Sequence, residues 1–312
     1  MNKTPTVLTL EDIPFTPTAK LRKDMATLEN GSAPSHQRTN GTTSNELEIL
    51  CRELKAKVDN FLDAPTEDHV LNSVKNQIIV ARGVIEEALR RYRPEELSLS
   101  YNGGKDCLVL LILILASLPS SVSLQSSVSQ SSTAAQAGSS SSPRPFPRRL
   151  QALYIRPPLP FAEVDEFVAT TSAVYHLDLT TSNQPMKPAL TEYLRERPEV
   201  KAVFVGTRRT DPHGAALTFF DETDDDWPRF MRIHPVIDWH YREVWGFIRA
   251  LNIPYCPLYD MGYTSLGGTD DTHPNPALKE DSKGSSSKAD GQQFRPAYEL
   301  MEDREERLGR DR

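Results

Sequence analysis

The chain has 312 residues, with 36 basic and 43 acidic side chains and a formal net charge of −7. That length accommodates one α/β domain plus additions. An acidic chain without a basic block is a poor general nucleic-acid binder, so any anion site must be local. Cys51, Cys107 and Cys256 are widely spaced and odd in number; they suit a reducing compartment rather than a disulfide framework and offer no zinc spacing.

Residues 1–43 are rich in Thr, Pro, Ser, Asn and Gly and read as a disordered tail. They hold no apolar signal core, and Glu11, Asp12 and Asp24 argue against a mitochondrial transit peptide. A cytoplasmic location is the expectation. From Glu46, Leu47, Leu50, Leu54, Val58, Phe61 and Leu62 recur at helical spacing. After Pro65 a second helix is predicted through Val70, Val74, Ile78, Ala81, Ile85, Leu89 and Tyr92, ending before Pro94. Both read as packing helices.

The stretch LSLSYNGGKDC, residues 97–107, carries the strongest chemical signal. Alternation over Leu97–Tyr101 predicts a strand. Asn102, Gly103 and Gly104 break it, and Lys105-Asp106-Cys107 open the apolar run Leu108–Leu115, read as a buried helix. The run to Leu118 is too short to span a membrane, which takes about 20 residues. Strand, double glycine and helix make a phosphate-binding turn: glycine permits close backbone approach, and the helix start favours an anion. The pattern is not a Walker A loop, since Leu99 stands where the first Gly is required and Asp106 follows the lysine.

Pro119–Pro147 is almost all Ser, Ala, Gln, Gly and Pro, and such a composition builds no packed core. We read an insertion over 119–149 within a single domain spanning 44–312. Closing a loop of about 30 residues instead of about 4 costs only about 1.8 kcal/mol. Strands are predicted at Leu150–Ile155, Leu177–Leu179 and Val200–Gly206, and helices at Glu163–Tyr175 and Pro188–Arg195. This alternation predicts an α/β fold, a doubly wound, mostly parallel sheet, with N-terminal helices and a C-terminal extension. Ligands bind such sheets beyond the carboxyl ends of the strands. The rule gathers three segments: the loop after Tyr101, Arg156, and Thr207-Arg208-Arg209-Thr210-Asp211.

The two arginines suit phosphate; Asp211 either accepts hydrogen bonds from a ligand ring or caps the Pro212 turn. In the acidic loop DETDDDWPR, residues 221–229, Trp227 either plugs the core or stacks on a flat ligand. Met231–Ile237 reads as extended, and Asp238 as the cap of a helix over Tyr241–Leu251. His234 and His240 are isolated. Residues 259–278 are turn-rich, and Lys279–Gln293 is polar. In the charged tail the spacing of Arg307 and Arg310 places both on one face of a predicted helix, suited to phosphate or ring contacts.

SYNGGKDC at 100–107, VFVGTRRTDP at 203–212, DWPRFMRIHPVIDW at 226–239, IPYCPLYDMGYTSLGGTDDTHPNPAL at 253–278 and ERLGR at 306–310 stand in one order. Together they resemble eukaryotic FAD synthases of the PAPS reductase-like type, in the single-domain form found in fungi. Asn102 and Cys107 replace the Ser and Ser/Thr of the common pyrophosphate loop. The resemblance implies an adenine-nucleotide alpha-hydrolase-like fold and the reaction ATP + FMN giving FAD and pyrophosphate, with Mg²⁺ bridging phosphate oxygens. It implies Asn102, Asp106, Arg307 and Arg310 as catalytic residues. Ser100, Tyr101, Asn102, Gly103, Gly104, Lys105, Asp106, Arg156, Gly206 and Arg208 become candidates for ATP, and Asp106 for the metal. Arg209, Thr210, Asp211, Asp224, Trp227, Arg307 and Arg310 become candidates for FMN. The expected partners are these small molecules, with no nucleic acid and no membrane. Rival readings are a PAPS reductase or sulfur-chemistry enzyme, which is weakened by the absence of Cys after Cys256, and a non-catalytic nucleotide-binding module.

Overall fold

A computed structural model of the chain describes residues 46–128, 146–280 and 293–311. The tail 1–43, most of the Ser-rich insertion and most of the 279–293 spacer lie outside the described residues. Helix α1 (Glu46–Asp63) and helix α2 (His69–Arg91) form a pair whose apolar stripes are buried. Asp68 caps α2 by accepting from the N–H groups of Val70 (2.8 Å) and Leu71 (3.0 Å), a contact worth about 1 kcal/mol.

Strand β1 (Leu97–Ser100) leads into helix α3 (Lys105–Val128). Leu108 to Ala116 are each buried to 1 % exposure or less, because α1 and α2 pack on this helix and it shares one core cluster with residues of the sheet. Each Leu, Ile or Val among them stabilises the fold by about 1.5–3 kcal/mol relative to exposure. The helix does not stop at the start of the insertion: it runs through Pro119 to Val128. A composition unable to build a core does not prevent an already nucleated helix from continuing.

Strand β2 (Leu150–Ile155), helix α4 (Ala162–Val174), strand β3 (Leu177–Ser182), helix α5 (Met186–Glu196), strand β4 (Ala202–Phe204), strand β5 (Phe220–Glu222), strand β6 (Met231–Ile233) and helix α6 (Tyr241–Ala250) follow. The six strands form one sheet in the order β3-β2-β1-β4-β6-β5. All pairings are parallel except β5 with β6. Helices α1, α2, α3 and α6 associate on one side. A second apolar cluster of Leu153, Leu190, Tyr193, Val200, Val203 and Phe230 lies between α5 and the strands. Among the described residues no helix is long and apolar enough to cross a membrane.

Several boundaries differ from expectation. β4 is shorter than Val200–Gly206, although its ladder extends past both ends: Lys201 N–H donates to Glu96 O (2.8 Å) and Val205 N–H to Ile233 O (2.8 Å). β5 was hidden in the acidic loop, since Phe220-Asp221-Glu222 lacks apolar alternation. Asp238 does not cap α6; its carboxylate takes Arg209 Nε (2.6 Å). The first turn of α6 is satisfied by Glu243, which accepts from His240 N–H (2.7 Å), and by Asp303, which accepts from Tyr241 N–H (2.6 Å). The C-terminal tail is not a helix. It forms short 3-10 turns at Ala297–Glu299 and Asp303–Glu305 and ends in a bridge between Thr272 and Arg310, so Arg307 and Arg310 do not share a helical face.

Candidate active site

The turn after β1 is built on a glycine that has to be there. Gly103 has φ +72°, and a Cβ on it would stand 2.8 Å from Val168 Cγ2, so both the left-handed backbone and the space exclude a side chain. Asn102 folds back over the turn. Its Oδ1 accepts from Gly104 N–H (3.0 Å) and from the Cys107 thiol (Sγ···O 2.9 Å). With both bonds on the oxygen, the Nδ2 donors are the end of the amide left for a ligand. Burial raises the Cys107 thiol to about 12, so it is a hydrogen-bond donor and not a thiolate. Lys105 N–H donates to the Tyr259 hydroxyl (2.8 Å). Two N–H groups of the turn, those of Gly104 and Lys105, therefore have protein partners rather than standing open for an anion.

Gly206 brings the end of β4 against the start of α3: a Cβ there would lie 2.9 Å from Cys107 N. This close approach carries Arg208 beneath the turn. Lys105 and Arg208 are 2 % and 0 % exposed, and two cations that deep require partners. Asp106 supplies one, with Oδ2 3.0 Å from Lys105 Nζ and Oδ1 2.8 Å from Arg208 Nε; the second contact is close but misaligned for a hydrogen bond. Glu306 supplies the other, its two carboxylate oxygens pairing with Lys105 Nζ and Arg208 Nη2. Asp211 accepts from Arg208 N–H (2.8 Å), and the Asp211 and Asp303 carboxylates stand 3.7 Å from the guanidinium. Burial opposes charge on all three central groups, and the opposite charges outweigh it. Arg208 and Lys105 hold the Asp106 carboxyl below the usual carboxylate range; Asp106 and Glu306 hold Lys105 and Arg208 above theirs.

Above this cluster opens a cavity of about 230 Å³. Its lining brings together Ser100, Asn102, Gly104, Lys105, Asp106, Gly206, Asp211 and Arg307 from the sequence-derived candidates. Other candidates do not line it. Tyr101 is fully buried, its hydroxyl bonded to Thr171 Oγ1 (2.8 Å). Gly103 shapes the turn from behind. Arg208 lies beneath, facing the carboxylates of Asp106, Asp211, Asp303 and Glu306. Arg156 pairs with Asp165 at the edge of a separate crevice between β2, β3 and α4. Arg209 pairs with Asp238 on the surface, and Thr210 is exposed beside it. Asp224 is exposed near Arg232. Trp227 packs on the second apolar cluster with Lys187 over its ring, the core-plugging alternative. Arg310 pairs with Asp271 (2.8 Å) and lies across Gly267.

Thr207, Cys107, Tyr259, Ser265, Leu266 and Glu306 also line the cavity and were not among the candidates. Tyr259, Ser265 and Leu266 sit in the turn-rich stretch, where nothing distinguishes a wall from a connection. Glu306 had one signal, its place beside Arg307, which a strongly charged tail obscures.

A model of the phosphoadenosine phosphosulfate reductase domain matches residues 183–274. The chain is 40 % identical over 267 residues to the probable FAD synthase of Schizosaccharomyces pombe, covering 86 % of this chain and 89 % of that one. The structure is similar to Candida glabrata FMN adenylyltransferase in complex with FAD and inorganic pyrophosphate, with a TM-score of 0.74 and 28 % identity over 85 % of this chain and 97 % of that one. It is also similar to yeast FAD synthetase in complex with FAD, with a TM-score of 0.73 and 29 % identity over 85 % of this chain and 99 % of that one.

Proposed function

Because the chain belongs to the FAD synthase family, we propose that it transfers the adenylyl group of ATP to the phosphate of FMN, giving FAD and pyrophosphate. One observation carries the reading: the double-glycine turn, the end of β4 and the C-terminal Arg307 converge on one polar cavity at the carboxyl edge of the sheet. The FMN phosphate is itself an anionic nucleophile. Attack on the α-phosphorus of ATP needs no general base, so catalysis rests on positioning and charge neutralisation.

In this reading Ser100 and the Nδ2 donors of Asn102 meet the ATP phosphates, and Gly103 and Gly104 hold the turn that presents them. Arg307, which makes no ion pair among the described residues, neutralises the transferring phosphate. Arg208 acts through Asp106, and Arg310 through the loop at Gly267; neither meets a phosphate directly. Among the described residues no three His, Cys, Asp or Glu side chains are grouped to hold a metal ion. Mg²⁺ would be held through substrate phosphates and one or two carboxylates; Asp106, Asp211 and Glu306 line the cavity, Glu306 being paired with Lys105 and Arg208. Such an ion would stabilise the charge of the pyrophosphate leaving group. The buried thiols of Cys51, Cys107 and Cys256 suit the cytoplasm. Burial raises all three, Cys256 to about 11, which disfavours a thiol-dependent reductase.

The test is incubation with MgATP and FMN and chromatography for FAD. Formation of FAD, abolished by EDTA, is expected. If nucleotide binds but no FAD appears, the non-catalytic module is the better reading.

A further inference from the structure

We propose that Glu306 sets the anion affinity of the cavity, cancelling the charge of Lys105 and Arg208 so that pyrophosphate can leave. The inference rests on the adenylyl-transfer reading. Lys105 and Arg208 are the most deeply buried charges of the site; Asp211 and Asp303 stand 3.7 Å from the guanidinium with side chains 25 % exposed to solvent, which screens them, so of the closely paired groups Asp106 alone would leave one positive charge in surplus. Glu306, 5 % exposed, brings the group of four to neutrality by pairing with both.

The placement of Glu306 is built, not incidental. Its carbonyl oxygen accepts from Thr264 Oγ1 (2.6 Å), and the preceding carbonyl, of Glu305, accepts from Asn275 Nδ2 (2.7 Å). Thr264 and Asn275 are themselves buried, at 1 % and 0 % exposure. The carboxylate thus reaches the cations from a fixed base, while the next residue, Arg307, lines the cavity and makes no ion pair among the described residues.

A site that binds a polyanionic substrate must also release a polyanionic product. One uncompensated positive charge a few ångströms from a phosphate, at an effective dielectric of about 20, raises anion affinity by roughly tenfold or more. Substrate would bind more tightly as well, but the gain would be shared with the product and would slow its departure. Glu306 is therefore a positioning and charge-setting residue; it touches Lys105 and Arg208 rather than the reacting atoms.

The experiment compares full-length wild type, E306Q, E306D and K105M/E306Q. Magnesium pyrophosphate binding is measured by calorimetry, and FAD formation by steady-state kinetics. E306Q is expected to bind pyrophosphate about tenfold more tightly, with a lower kcat and an ATP KM no higher than wild type. E306D and K105M/E306Q keep the charge count at zero and should bind pyrophosphate within about threefold of wild type. A Glu306 that merely holds the fold together predicts the opposite for E306Q: weaker binding of every ligand. Unchanged or weaker pyrophosphate binding by E306Q overturns the proposal. If E306Q is too unstable to purify, a tenfold change in affinity in either charge-balanced variant does so instead. Wild type that makes no FAD sinks the reading of function; wild type that makes FAD, beside an E306Q with ordinary pyrophosphate affinity, sinks this inference alone.

Discussion

Asn102 and Cys107 hold the turn at its two ends, and the bond between them fixes which face of the Asn102 amide a phosphate meets. A serine hydroxyl at 107 can donate the same bond; a methyl group cannot. Cys107→Ser should therefore keep kcat/KM for ATP within about threefold of wild type. Cys107→Ala should lower it tenfold or more while leaving KM for FMN unchanged; equal ATP kinetics in the two variants would disprove the orienting role. Asp106 needs a different kind of substitution. Truncating one partner of a buried ion pair costs about 3–5 kcal/mol, so Asp106→Ala mixes lost chemistry with lost fold. Asp106→Asn keeps the shape. It should reduce FAD formation at least a hundredfold, with a near-native far-ultraviolet spectrum, and turnover close to wild type would remove Asp106 from the mechanism. The glycines of this turn were legible in the sequence because a positive φ and a close approach admit little else. Lys105 was not, because a lysine after two glycines has the same letters whether it is solvated or buried between two carboxylates.

At the scale of elements, β6 delivers a residue whose burial makes the fold pH-sensitive. His234 follows Ile233, is 1 % exposed, and has a partner for neither ring nitrogen among the described residues. Burial lowers it to about 4, and Asp221, 3.8 Å away, only partly opposes this. The unfolded chain takes up the proton near pH 6.5, the folded chain not until about pH 4. Stability is then undiminished above pH 6.5 and falls as pH drops from 6.5 to 4, by up to about 3 kcal/mol. The depressed Asp106 acts in the same direction at lower pH. Urea denaturation at pH 7.5, 5.5 and 4.5 should show this loss in wild type and a flatter dependence in His234→Gln; parallel curves would exclude His234 as the cause. The helices themselves were readable from apolar spacing, because each buries one stripe. Their ends were not. The acid that begins α6 is contributed by Glu243 and by Asp303 from a distant segment, while the nearer Asp238 is drawn to Arg209.

Over the whole molecule, the candidate site closes across the length of the chain: Glu306 meets Lys105 at a separation of 201 residues. Local pattern cannot show such a contact, which is why the fold class was visible in the sequence and the charge cluster was not. The same contact makes the C-terminal segment structural as well as chemical. Ala297 and Leu300 are in the main core, and His273 N–H donates to Gly309 O (2.8 Å). Thr264, Asp271 and Asn275 reach Glu306, Arg310 and Glu305. Deleting residues 297–312 should remove all of these at once and leave two buried cations with one principal partner. The sheet and the α1–α3 layer, whose helix–helix and strand–strand contacts lie mostly outside the segment, should keep their protection in hydrogen–deuterium exchange. Residues 262–275 should exchange faster by a hundredfold or more, because their partners are gone and little apolar burial replaces them. FAD formation should be lost. If the truncated chain keeps slow exchange over 262–275, the loop is held by something other than the C-terminal segment, and the site does not depend on that closure.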